Sequence, residues 1–136
     1  MFTVEAQQNV VISSFTINSS SRGEGGVKVY TRTGGYVGHV QSSEGWELVY
    51  DNPSVIHGRR GRYTELGEFQ HGIMIAGGAS QSFYVTSTKG LAYTQGVQEN
   101  SPFASDESLS ILEGIGMDVA FSGTMFSPRV WGGRIW

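Results

Sequence analysis

Cysteine is absent from this sequence. That excludes disulfides, thiolate metal sites and a cysteine nucleophile, and it leaves the compartment open, because a domain of this length needs no covalent staple. Lysine is nearly absent too. Of the nine basic residues only Lys28 and Lys89 are lysines, and the arginine bias suits planar, bidentate or stacked contacts better than a diffuse solubilising coat. No apolar run approaches the roughly 20 residues of a membrane-spanning helix, so membrane insertion is not expected. Polar residues from Thr3 and Glu5 onward interrupt any signal-peptide pattern at the start. A net charge of -3 argues against nucleic acid or an anionic membrane surface as the main partner.

Catalytic signatures are missing as well. There is no H-E-x-x-H, no G-x-S-x-G and no phosphate-binding loop. His39, His57 and His71 stand at non-ligand spacings. The carboxylate pairs Glu65/Glu68, Asp106/Glu107 and Glu113/Asp118 carry nothing that marks glycosidase chemistry over ordinary surface solvation. A non-enzyme is expected.

What is present is glycine (20), serine and aromatics recurring along 136 residues, the composition of many short strands joined by tight turns within one domain. Alternation predicts strands at 2–6, 10–18, 27–32, 34–40, 45–51, 54–58, 64–69, two around the Gly-Gly turn of 72–87, 90–96 and the closing 127–136. In "VKVYTR" (27–32) the period of two puts Val27, Val29 and Thr31 on one face and Lys28, Tyr30 and Arg32 on the other. "SDESLSILEGIG" (105–116) reads as a helix capped by Ser105 or as a strand; its glycines and β-rich surroundings favour the strand. About ten short strands and no long helix indicate an all-β fold, an antiparallel β-sandwich or jelly roll.

Several stretches together, "FTVEA", "VVISSFTIN", "VKVYTRTGGYVG", "GWELVY", "IAGGASQSFYVTS", "LAYTQG", "SDESLSILEGIG" and "FSGTMFSPRVWGGRIW", resemble a recurrent β-rich module of secreted and cell-surface multidomain proteins of marine bacteria and diatoms. The likeness runs over nearly the whole chain and is most specific in "SPRVWGGRIW". It implies an extracellular or cell-surface location beside other domains, and it implies no activity. The abrupt strand pattern at Trp136 suits a segment taken from a longer chain. The arginine-rich loop at 59–62 departs from the module's usual pattern.

Three groups of residues are candidates for binding. Arg59, Arg60 and Arg62 lie in "HGRRGR", where flanking glycines allow a tight turn that converges guanidinium groups on a carboxylate, sulfate or phosphate; the alternative is a solvated tip paired with Glu65 and Glu68. Tyr30 and Tyr84 alternate with inward neighbours and are expected to face outward, where rings stack on sugars or on a subunit. The third group is a repeat, Arg129-Val130-Trp131 and Arg134-Ile135-Trp136. A bulge at Gly132-Gly133 would gather Arg129, Trp131, Arg134 and Trp136 on one outward face and turn Val130 and Ile135 to the core. Glu99, Asp106 and Glu107 supply oxygen ligands suited to calcium, without a regular ligand spacing; no other cofactor is expected. The expected partner is a polysaccharide or matrix component. The alternative is structural, a homo-oligomer or self-assembling β module growing through sheet edges that few lysines and prolines blunt.

Overall fold

The computed structural model describes residues 1–136 and is built wholly from strands and loops. Fourteen strands follow in order: β1 (Phe2–Ala6), β2 (Val10–Ile12), β3 (Phe15–Asn18), β4 (Gly23–Thr33), β5 (Glu47–His57), β6 (Tyr63–Glu65), β7 (Ile73–Ile75), β8 (Ser80–Ser87), β9 (Thr94–Gln95), β10 (Pro102–Ser105), β11 (Leu109–Leu112), β12 (Gly114–Val119), β13 (Ser122–Val130) and β14 (Arg134–Ile135). All pairings are antiparallel. The all-β, sandwich-like architecture expected from the alternation is present. Residues 105–116 hold strand rather than helix, divided among the end of β10, β11 and the start of β12, with 106–108 a turn. The 10–18 segment breaks into two strands in different sheets, 45–58 fuses into the single strand β5, and 34–40 is loop.

The centre is a six-stranded sheet in the order β10-β11-β1-β8-β4-β5. Its first face carries Phe2, Val4, Val27, Val29, Val49, Val55, Phe83 and Val85, and is covered by the sheets β14-β3-β6 and β2-β7, which contribute Phe15, Ile17, Ile12, Ile73 and Ile75 to one cluster. Val27 and Val29 are fully buried and Thr31 nearly so, as the period of two requires. The second face is covered as well. Hairpin β12-β13 and loop 34–46 bring Ile115, Met117, Phe121, Tyr36 and Trp46 onto Tyr30 and Tyr84. The outward-facing expectation for these two tyrosines is therefore corrected: Tyr84 is buried and Tyr30 half-buried. Alternation assigns a side chain to a face; it cannot say what later segment covers that face.

The closing segment needs a second correction. Residues 127–136 form no single bulged strand. Strand β13 ends at Val130 in the sheet β12-β13-β9, and β14 pairs with β3 in another sheet. The chain crosses between them at 131–133. Glycine is required there by close approach: a Cβ on Gly133 would collide with the Thr16 carbonyl and the Trp131 ring, and one on Gly132 would sit 2.7 Å from the Ala92 carbonyl oxygen.

Both edges of the central sheet carry proline, Pro53 within β5 and Pro102 opening β10. Each removes a donor that lateral growth would use.

Candidate functional site

The sequence candidates separate into packed and exposed groups. Trp131 stacks on Phe2 with ring centroids 4.8 Å apart and planes at 22°, and lies tilted against Phe15 at 5.7 Å. Its indole N–H is buried without a partner. It is a half-buried part of the main cluster, which corrects its placement on an outward Arg/Trp face. Arg129 is half-buried and engaged: Nη1 donates to Gln95 Oε1 (2.7 Å) and to the Pro128 carbonyl (2.9 Å), and its guanidinium lies over Tyr93 and Phe126. It clamps β9 to β13 and stacks on neither tryptophan. Tyr84 packs edge-on against Phe121 at 4.8 Å; burial raises its phenol's pKa, and a backbone hydrogen bond from Phe121 opposes that rise.

The calcium candidates are occupied separately. Glu99 accepts from the Tyr36 hydroxyl at 2.7 Å and from the Ser127 hydroxyl. Asp106 Oδ1 accepts the backbone N–H groups of Leu109 and Ser108, which lower its pKa, the Leu109 bond contributing most. Glu107 is exposed. No three His, Asp or Glu side chains gather into a metal-ligating group. His57 is buried, with Nδ1 2.5 Å from Ser19 Oγ and Nε2 3.2 Å from the Gly25 carbonyl. Donation from Nε2–H to that carbonyl leaves Nδ1 to accept from Ser19. Ser19 has no exposed surface, so this pair is a core hydrogen bond closed to substrate.

What remains exposed gathers on the outer face of the sheet β14-β3-β6. Phe15, Ile17 and Ile135 turn to the core, which sends Arg134 and Trp136 outward along one edge and Tyr63 and Glu65 outward along the other. Arg134 and Glu65 flank Thr16 in register. The Arg134 guanidinium lies 4.5 Å from the centre of the Tyr63 ring, and its backbone N–H donates to Thr16 Oγ1 at 3.0 Å. Trp136, 59% exposed, borders a shallow groove with Thr16, Glu65 and Leu66.

The arginine loop joins this face. It links β5 to β6, and Asn18 Oδ1 accepts the Gly61 N–H at 3.0 Å, fixing the turn where Gly61 adopts φ +84°. Arg59, Arg60 and Arg62 are all exposed. They make no ion pair with Glu65 or Glu68; the salt bridges in the structure are Lys28–Asp51 and His71–Glu47. The expected pairing is thus not made: Arg134, stacked on Tyr63, and Arg59, Arg60 and Arg62, in the loop at the Asn18 end of the sheet, stand without a carboxylate partner, while Trp136 lies toward the other end, its backbone N–H donating to the Ser14 carbonyl. Tyr63 was not among the sequence candidates; its position directly after the arginine loop was the available signal.

A separate cleft of about 590 Å³ opens over the second face of the central sheet. Its floor includes Lys28, Asp51, Tyr84 and Thr86, one wall is Gly116–Asp118, and Trp131 and Tyr93 enclose the other side. Most of its lining is apolar. The Met1 amino group at its end donates to the Ile115 carbonyl at 2.7 Å, and burial pushes its pKa down to about 5 against a smaller upward pull from Glu99. The sequence matches no family model, no curated protein and no solved structure, so function is inferred from this geometry and from the sequence.

Proposed function

We propose that this chain is a non-catalytic binding module of a secreted or cell-surface protein that recognises a carboxylated or sulfated polysaccharide. One observation carries the reading: Arg134, stacked on the exposed ring of Tyr63, and the exposed Arg59, Arg60 and Arg62 of the adjoining loop are free of carboxylate partners, with Trp136 exposed farther along the same sheet face. Guanidinium forks pair with carboxylate and sulfate bidentately, while ring faces stack on sugar planes. Two residues along a strand advance roughly 7 Å, so the rings and cations form an extended track suited to a chain rather than a closed pocket for a monosaccharide. The extracellular setting rests on the resemblance of the sequence. Pro53 and Pro102 at the central sheet's edges weigh against the alternative of growth by lateral strand pairing.

The test is calorimetric titration with a sulfated, a carboxylated and a neutral polysaccharide at two ionic strengths. The acidic chains bind and the neutral one binds at least about tenfold more weakly, with affinity falling as salt rises. Arg59→Ala with Arg60→Ala, and separately Arg134→Ala, each lower affinity for the acidic chains while the melting temperature holds. Silence toward all three polysaccharides, or indifference to both variants, refutes the reading.

A further inference from the structure

The hairpin β12-β13 has a bare edge. Strand β9 accompanies β13 only at Arg129 and Val130, so from Ser122 to Ser127 β13 is paired on one side alone, with β12. No loop backbone bonds to those residues either, and each of them is exposed. The usual protections of an edge, which are lysine, an inward charge or proline, are missing there. Residues 119–128 carry no charged side chain, and Pro128 stands beyond the bare stretch. The edges of the central sheet, by contrast, hold Pro53 and Pro102.

Backbone parity says which residue serves this edge. Glu113 bonds through its main chain to Asn100 and Ser101, and Ile115 to Met1. Both therefore turn away from β13, and Gly116, the next residue along, turns toward it, because main-chain groups alternate in an antiparallel ladder. Gly116 stands opposite Phe126, and Met117 opposite Met125. Phe126 thus directs its N–H and C=O to β12, and Met125 directs both outward. Thr124 agrees, its N–H donating back to Asp118 Oδ1 at 2.7 Å. Met1 lies across β12 from this edge and Trp136 bonds to Ser14 beside β3, so neither borders it. The Met125 side chain shares a face with Met117, which packs against the Tyr30–Tyr84 cluster. Yet Met125 is 50% exposed, because no strand continues the sheet past it.

We propose that two copies of this chain pair through this edge, β13 against β13, about a two-fold axis at Met125. Met125 is the one residue between Gly123 and Ser127 whose groups both point outward, so it is the centre at which the two edges exchange bonds. Each Met125 then donates to and accepts from its counterpart, and Thr124 stands opposite the second copy's Phe126, twice. The inner face gains a continuous row of methionines, Met117 and Met125 from each copy, whose flexible thioethers pack against one another. Self-pairing sets every residue of the edge near its own copy, so a charge there would meet its like; an uncharged edge fits a second copy for that reason. The ladder is short. Gly123 leaves the extended region at φ +76°, and at Arg129 the edge is held by β9. Pairing consumes the edge, so the assembly closes at two chains and does not grow.

The test is sedimentation equilibrium of the chain between about 10 µM and 1 mM, the weak range expected of a small interface. The average mass rises from one chain toward two. Met125→Lys and Met125→Glu, both at an exposed position, keep the melting temperature, and each weakens self-association at least about tenfold as like charges meet across the axis. Mixing the two variants restores association to at least the parent's level, because opposite charges now meet there. In the unaltered chain, hydrogen exchange at the Met125 amide slows as concentration rises, while the Thr124 amide, already bonded to Asp118, does not change. A mass of one chain up to about 1 mM overturns the proposal. So does growth past two chains, association that Met125→Lys leaves unchanged, or a mixture of the charged variants that stays monomeric.

Discussion

Replacing Trp131 by alanine separates the two roles open to a tryptophan in "RVW". In the structure this ring lies flat on Phe2 at 4.8 Å and against Phe15 at 5.7 Å. Truncating a packed tryptophan costs about 3–5 kcal/mol, and the half-exposed edge on the cleft points to the lower figure, about 3 kcal/mol. At this chain length that lowers the melting temperature by roughly 10–15 °C. Trp131→Phe is the informative companion. It keeps a ring on Phe2 and deletes an indole N–H that is buried without a partner, a group whose desolvation costs about 1–3 kcal/mol. The lost contact area and the relieved N–H offset each other, so phenylalanine falls within about 1 kcal/mol of the parent. Urea titration checks both values, provided the slope of the transition is unchanged between variants. Acidic-polysaccharide affinity, measured while each variant is folded, stays constant. A Trp131→Ala chain with an unmoved urea midpoint and lost polysaccharide affinity would refute the placement of this ring in the core.

Other consequences are as direct. Gly133→Ala forces a methyl group against the Thr16 carbonyl and the Trp131 ring and destabilises by more than about 2 kcal/mol, whereas Gly35→Ala, which meets nothing within 4 Å, shifts the melting temperature by no more than a few degrees. Glu113, buried, accepts the backbone N–H groups of Val97 (2.6 Å) and Gln98 (2.8 Å). Glu113→Ala leaves those donors unpaired, costs about 3 kcal/mol, and accelerates amide exchange at both positions. Burial first, and the hydrogen bond to Glu99 second, raise the Tyr36 phenol's pKa above its ordinary value of 10. The folded chain therefore holds the protonated form more tightly than the unfolded chain does. That contribution is fully present below pH 10, where the unfolded phenol titrates, and is lost as pH rises through the raised value. Tyr36→Phe flattens this alkaline loss, read by chemical denaturation at several pH values. Its cost at neutral pH is about 2 kcal/mol, the worth of a hydrogen bond to a charged group.

The inward face of β4 was legible in the sequence because Val27, Val29 and Thr31 obey a local period. The other face was not, since what covers Tyr30 and Tyr84 arrives from Trp46 and Phe121, distant in sequence and unmarked by any pattern. Arg59, Arg60 and Arg62 were legible as an exposed turn from their flanking glycines. Their association with Arg134 and Tyr63 depends on β3 lying between β14 and β6, a pairing set by global topology. Gly132-Gly133 drew attention correctly, but glycine serves a bulge and a close crossing equally well, and only the position of Thr16 and Ala92 decides between them.

The crossing at 131–133 has a mechanical side. One short length of chain belongs to both coverings of the central sheet, with Val130 paired to Thr94 on one and Arg134 paired to Thr16 on the other. A load that pulls the coverings apart is therefore borne by covalent chain, and Trp131 must be drawn off Phe2 before either covering can peel away. Under such a load the clasp sets the force at which the domain yields through a few ring contacts, Trp131 on Phe2 and Phe15 among them.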